Sequence, residues 1–158
     1  MSVQTSYNFY TSKGVAGGLY DLSHHVVDTF RNADEDGVIK FGVGVYTAGA
    51  ANKGCVVSNN HDDATDFAGV VVNGFTTEMD MDGNASIKHG ATVGVLTHGK
   101  VWVRLKEGVT PAYGMPAYVY LAGDENGFFC TSGGDNTEKI NGRFVGERSG
   151  NLAPIELF

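Results

Sequence analysis

Long hydrophobic runs are absent from this sequence of 158 residues, and basic residues, cysteine and proline are scarce. No apolar stretch approaches the roughly 20 residues that a membrane-spanning helix needs, which excludes a helical transmembrane protein. The first twenty residues lack both the basic region and the continuous apolar stretch of a secretory signal. We therefore expect a protein that stays in the compartment where it is made and has no membrane partner.

Basic residues number 11 against 18 acidic residues, which gives a formal net charge of −7. Binding to a phosphate backbone needs a concentrated positive face, so nucleic acid is not an expected partner. The two cysteines, Cys55 and Cys130, form no CxxC pair. Without a secretory route we expect two free thiols that pack as small apolar strand residues.

Glycine, by contrast, is abundant: 23 glycines separate short segments of β-branched and aromatic residues. This pattern is typical of many short strands joined by tight turns. It predicts an all-β fold, either a small β-barrel or a sandwich. The predicted strands cover residues 40–47, 54–58, 67–72, 92–97, 100–105, 116–121, 127–131, 142–147 and 153–158.

Only His98 and Gly99 separate two of these strands, which predicts a β-hairpin with a positive φ angle at Gly99. Apolar and polar residues alternate along the second strand, so one face is apolar and the other is cationic around the only tryptophan. This face is either solvated or a protein interface, for which arginine and tryptophan are common anchors. We take Lys100, Trp102 and Arg104 as candidate protein-interface residues. The basic residue Lys106 continues the same face.

The first 38 residues contain few residues suited to a core, so we predict an N-terminal arm and connecting segment over residues 1–38. The β domain then covers residues 39–158. Aromatic side chains at Tyr7, Phe9 and Tyr10 are costly to leave in water. A protein surface should therefore cover them, and they join the candidate interface residues.

Gly14, Gly17 and Gly18 follow these aromatic residues and predict a flexible joint. The arm either crosses to a neighbouring subunit or folds back onto its own domain. Residues 22–30 have apolar side chains at helical spacing, but their β-branched residues favour an extended segment.

Metal ligation has little support in the sequence. The acidic segments 34–37 and 80–83 have their glycine in the fourth position and lack the glutamate of a calcium loop, so they predict Asp-Gly turns. His24 and His25 are adjacent, and neighbours on an extended chain point to opposite sides. His61 lies beside two aspartates. We predict no metal site and expect these histidines to be solvated or at an interface.

Catalysis has equally little support. Residues 42–49 contain spaced glycines, but no helix follows to form a phosphate-binding loop. No serine lies in a G-x-S-x-G turn, and neither cysteine has a local signature of activation. We therefore predict no catalytic residues, no cofactor and no small-molecule substrate, and we expect that the protein is not an enzyme.

The second half of the chain has a distinctive order of strands and turns. A strand leads into a Gly-Lys turn at Gly99 and Lys100, then a strand with Trp102, a strand beginning at residues 115–118, and a terminal strand ending at residues 156–158. This order resembles the tailed-phage structural cement proteins, also called capsid decoration proteins. The similar segments are residues 14–21, 40–46, 67–72, 90–121, 142–147 and 153–158.

The resemblance implies a structural protein that binds the outside of an assembled phage head and stabilises capsomer junctions. It implies the major capsid protein as partner, a homotrimer, synthesis in the host cytoplasm, and a final location on the outer capsid surface of the virion. Met115 and a longer connection at residues 76–89 depart from the family pattern. The alternative function is a soluble ligand-binding or enzymatic small β-barrel, with a pocket formed by the histidines and acidic loops.

Overall fold

Strands dominate the fold. The structure is a computed structural model, and it describes residues 14–33, 39–48, 55–57, 64–74 and 86–158. Within these ranges the only helical element is a 3₁₀ turn at Gly123–Glu125, so nothing there is long and apolar enough to cross a membrane as a helix. The predicted all-β class is confirmed. The strands are β1 (Val26–Asn32), β2 (Ile39–Lys40), β3 (Gly44–Ala48), β4 (Cys55–Val57), β5 (Ala64–Val71), β6 (Ser86–Ile87), β7 (Thr92–Arg104), β8 (Pro116–Tyr120), β9 (Phe129–Cys130), β10 (Thr137–Phe144) and β11 (Leu152–Leu157).

Five strands close into a ring in the order β1-β4-β3-β5-β7, because β1 also pairs with β7. The ring surrounds a first core of fully or nearly fully buried side chains. Its members are Ile39, Phe41, Val43, Val45, Val71, Ile87, Val93 and Val95. Alternate residues of the same strands point outward, and Tyr46, Val70 and Leu96 on that face belong to the second core.

The second half of β7 starts a second sheet in the order β7-β11-β10-β8-β9. Leu105 makes a parallel bridge with Phe129, which brings β9 back beside the end of β7. This sheet packs over the outer face of the ring and encloses the second core. Large buried side chains there include Phe129, Phe144 and Ile155. The protein is therefore a barrel-like sheet in which one long strand belongs to two packed layers.

The predicted hairpin at His98 and Gly99 is wrong, because β7 runs through this point as one strand of 13 residues. Gly99 does have the predicted positive φ, at 124°. Opposite it, Val27 pairs with Leu96 and Val26 with His98, so the register skips Thr97. This bulge reverses which side of the strand is buried. Each half of β7 pairs with different strands and lines a different core, so the two halves do not pair with each other.

Most of the other predicted strands are present with shifted ends. The segment 40–47 contains the end of β2 and most of β3, and β10 begins at Thr137 rather than at residue 142. The extended conformation predicted for residues 22–30 is confirmed at β1. The predicted turns at 34–37 and 80–83 lie outside the described residues.

Residues 17–20 lie beside the second half of β7, on the edge opposite β11. Gly17 N–H donates to Trp102 O at 2.8 Å, and Trp102 N–H donates to Gly18 O at 2.9 Å. After Asp21 the chain enters β1, which is part of the ring. Tyr7, Phe9 and Tyr10 lie outside the described residues. Below, "arm" denotes residues 1–13.

Candidate interface site

The three candidate interface residues of β7 share one face of the second sheet, as the alternation predicts, and Lys100 is held there by an ion pair. Its Nζ lies 3.0 Å from Oδ2 of Asp21. Hydrogen bonds from the hydroxyl and N–H of Ser23, and then from Lys100, lower the pKa of Asp21 to about 2. The hydrogen bond with Asp21 raises the pKa of Lys100. This ion pair fastens residues 14–21 to β7.

Trp102 is half-buried, and residues of its own chain cover it. The Tyr20 ring lies 5.7 Å from the indole, measured between ring centroids. Gly14 lies so close to the indole that a Cβ atom at this position would overlap it. The indole is therefore partly protected from water before any partner binds.

Arg104 connects this face of the second sheet to the five-stranded ring. Its Nε donates to Phe41 O at 2.8 Å, and its backbone N–H donates to Gly42 O at 2.9 Å. Partial burial lowers the pKa of the guanidinium group. One of the five guanidinium N–H groups is thus bonded inside the molecule. Lys106 lies 4.5 Å from the centroid of the Tyr120 ring, a cation–π contact.

The flexible joint predicted at the glycines is wrong, because they are packed against the second sheet and the end of β5. Gly17 has a φ of 75°, and a Cβ atom there would lie 2.7 Å from the backbone nitrogen of Asn73. Asn73 N–H also donates to Gly17 O at 2.8 Å. Gly14 is needed for its close contact with Trp102. These glycines permit close packing rather than hinge motion.

A cluster on the same sheet was not found from the sequence. Arg143 donates from Nε and Nη2 to one oxygen of Glu156, at 3.1 and 3.0 Å. Its guanidinium carbon lies 5.5 Å from the Tyr113 ring centroid and 5.7 Å from that of Phe158. Tyr113 and Phe158 are 68% and 55% exposed as whole residues. We name Tyr113, Arg143 and Phe158 the aromatic clasp.

The aromatic clasp continues the β7 face, because Glu156 of β11 pairs with Lys100 on one side and with Arg143 on the other. Its residues are far apart in the sequence and meet only through strand pairing. The single available signal was Phe158, which belongs to the terminal segment of the resemblance. Sequence alternation within one strand cannot indicate such a cluster.

Cys130 is a buried free thiol, as expected, and burial raises its pKa. The side chain of Cys55 is outside the described part. His24 and His98 make an edge-to-face contact at 5.5 Å between ring centroids. In the ranges that the structure covers, no three histidine, cysteine or acidic side chains are grouped to hold a metal ion.

Comparison with known families identifies the chain. The family model described as "Structural cement protein (E217 gp24/Pam3 gp6)" matches residues 3–158. The chain belongs to this family. The cement protein therefore has a structural role in the phage capsid, as a cement or decoration protein.

Among solved structures, the cement protein is similar to a chain of "The capsid of Myoviridae Phage XM1", with a TM-score of 0.74. The alignment covers 99% of this chain and 98% of that chain at 20% sequence identity, so the likeness shows the fold alone. No curated protein matches. Of the strands that carry the resemblance, β8, β10, β11 and the second half of β7 are in the second sheet, whereas the similar segments 40–46 and 67–72 contribute to the ring.

Proposed function

We propose that the cement protein binds the outer surface of an assembled phage head, contacts the major capsid protein at junctions between capsomers, and holds neighbouring capsomers together. The observation that carries this proposal is the family match over residues 3–158. The protein acts by binding and not by catalysis. It is made in the host cytoplasm and joins the virion on its outer surface.

The cement protein stabilises the capsid because its binding is linked to capsid assembly. A cement protein adds contacts that bridge separate capsid subunits, so pulling those subunits apart requires breaking both sets of contacts. Binding that occurs only to the assembled shell favours the assembled state by mass action. The net charge of −7 keeps the free protein soluble until it binds.

The active form is a homotrimer, because closed symmetry is the common solution for oligomers and suits a junction between capsomers. The arm, with Tyr7, Phe9 and Tyr10, crosses to a neighbouring subunit. The exposed parts of Lys100, Trp102 and Arg104 contribute to the capsid or subunit interface. Support for this comes from the fixed geometry of these three side chains, since ordered side chains lose less entropy on binding.

Co-sedimentation tests capsid binding. Purified protein is mixed with expanded heads that lack it, and the heads are pelleted. We expect the protein in the pellet at micromolar concentration, whereas protein that stays in the supernatant would contradict the proposal. Trp102→Ala should weaken binding by on the order of 2 kcal/mol, as loss of an aromatic anchor commonly does. Val27→Ala, at an exposed position on β1, is the matched control and should bind like the wild type.

A further inference from the structure

The aromatic clasp has the composition of a protein-binding hot spot, in which tyrosine and arginine are enriched. Two large rings stay exposed while the arginine between them is fixed by Glu156. The backbone on both sides is also fixed: Phe158 N–H donates to Asn141 O at 3.1 Å, and Gly114 N–H donates to Phe144 O at 2.8 Å. Apolar surface held rigidly in water is a typical feature of a surface that a partner covers.

We propose that the aromatic clasp of one cement subunit binds the arm, residues 1–13, of a neighbouring copy. This inference rests on the proposed oligomer and names the surface that receives the arm. The arm supplies Tyr7, Phe9 and Tyr10, and aromatic rings prefer to pack edge-to-face or offset against other rings. The clasp offers two such rings and a cation at the distances of cation–π contacts.

Charge favours a second copy over another occupant. The arm has no acidic residue and one basic residue, Lys13, while residues 14–158 contain 18 acidic and 10 basic residues, a net charge of 10 − 18 = −8. Two copies of the folded part therefore repel each other at long range, and the arm is the segment that a neighbouring copy attracts.

The arm begins on the sheet that carries the aromatic clasp. The described chain begins at Gly14, which lies against Trp102 on the same sheet as the clasp. The seven residues from Tyr7 to Lys13 span up to about 25 Å when fully extended, which sets the reach of the aromatic rings from Gly14. Strand addition to β7 is not available at this point, because residues 17–20 occupy one edge and β11 the other. Side-chain stacking on the exposed face is the remaining mode.

Photo-cross-linking on decorated heads tests the proposal. Tyr10→p-benzoylphenylalanine protein is prepared with ¹⁴N and with ¹⁵N, and the two are unfolded together in urea and refolded, so that subunits mix before they bind the heads. After irradiation, mass spectrometry should find cross-links from residue 10 to peptides that contain Tyr113 or residues 142–158. In a 1:1 mixture about half of these cross-links should join one ¹⁴N and one ¹⁵N peptide, which is the proportion expected for random pairing of neighbouring subunits. Cross-links within one isotope only, or to another surface, would overturn the proposal.

A second measurement tests whether the two exposed rings of the clasp are required for the cross-link. Added to the Tyr10→p-benzoylphenylalanine protein, the double substitution Tyr113→Ala, Phe158→Ala should reduce the cross-linking yield at least tenfold, while Val27→Ala should leave that yield unchanged. Circular dichroism and the melting temperature check that both variants fold. If the Tyr10→p-benzoylphenylalanine protein pellets with heads but gives no mixed-isotope product, the clasp assignment fails and capsid binding stands. If the wild type does not pellet, the proposed function itself fails.

Discussion

Gly69 in β5 shows how closely the strands β5 and β7 of the five-stranded ring approach each other. Its φ is 150°, and a Cβ atom at this position would overlap the carbonyl oxygen of Leu96 on β7. This φ lies in a region that only glycine adopts readily. We expect Gly69→Ala to lower the free energy of unfolding by more than about 2 kcal/mol.

The matched control is Gly134→Ala. Gly134 has open space around it and no left-handed backbone. Urea denaturation should give a change within about 0.5 kcal/mol for this variant. Equal effects of the two substitutions would show that the close approach of β5 and β7 is misplaced.

Tyr46 points from β3 into the second core, where its hydroxyl group is buried near the carboxylate of Glu138 without a well-formed hydrogen bond among the described residues. Burial, with a contribution from the negative charge of Glu138, raises the pKa of Tyr46. An unpartnered buried hydroxyl costs about 1–3 kcal/mol, so Tyr46→Phe should stabilise the protein by about 1 kcal/mol at neutral pH.

The pH dependence of this effect has a definite sign. Because the folded pKa is raised, Tyr46 destabilises the fold as pH rises above its unfolded value near 10. The advantage of Tyr46→Phe should therefore grow above about pH 10, measured by urea unfolding at pH 7 and 10.5. Tyr113→Phe, at an exposed residue, should leave the stability at neutral pH unchanged. A less stable Tyr46→Phe protein would mean that the hydroxyl does have a partner.

At the scale of elements, the ion pair between Asp21 and Lys100 adds to the backbone hydrogen bonds that hold the segment 14–21 on β7. Since the folded pKa of Asp21 is lowered to about 2, the contact is fully present above the unfolded value of 3.8 and is lost as pH falls toward 2. Trp102 is the only tryptophan, so its fluorescence reports on this segment. We expect a fluorescence change between about pH 4 and 2.

Asp21→Asn removes the titrating group and should abolish this change. Far-ultraviolet circular dichroism over the same range separates release of the segment from unfolding of the barrel. The same fluorescence step in Asp21→Asn would assign it to another carboxyl group.

The elements also show what the sequence could and could not predict. Alternation of apolar and polar residues has a period of two in any strand, so it located most strands and placed Lys100, Trp102 and Arg104 on one face. It did not distinguish a two-residue turn from a bulge at His98 and Gly99, because both leave apolar segments on either side. That difference is decided by β1 and β11, which pair with the two halves of β7.

Local sequence patterns were also insufficient to predict the candidate interface. The aromatic clasp combines Tyr113, Arg143 and Phe158 through the pairing of β10 with β11, and strand order is not encoded in local pattern. The glycines at 14 and 17 were interpreted as a joint because glycine permits many conformations. Their close contacts with Trp102 and Asn73 depend on the tertiary fold.

At the scale of the whole molecule, the arm is the part that should connect subunits. Removing residues 1–13 leaves the contacts of Gly14, Gly17 and Asp21 intact, so the truncated protein should melt at the same temperature as the wild type. It should lose trimer formation and bind heads more weakly. Mass measurement of the free protein and counting of copies on the decorated head both test the trimer.

A longer deletion, of residues 1–18, is the informative control. It removes the backbone hydrogen bonds of Gly17 and Gly18 with Trp102 and exposes the indole, so its melting temperature should fall. If deletion of residues 1–13 already lowers the melting temperature, the arm packs on its own domain. If the shorter protein still forms trimers and binds heads like the wild type, the arm does not bridge subunits. A protein that is monomeric both free and on the head would refute the trimer, because closed association must appear in at least one of the two states.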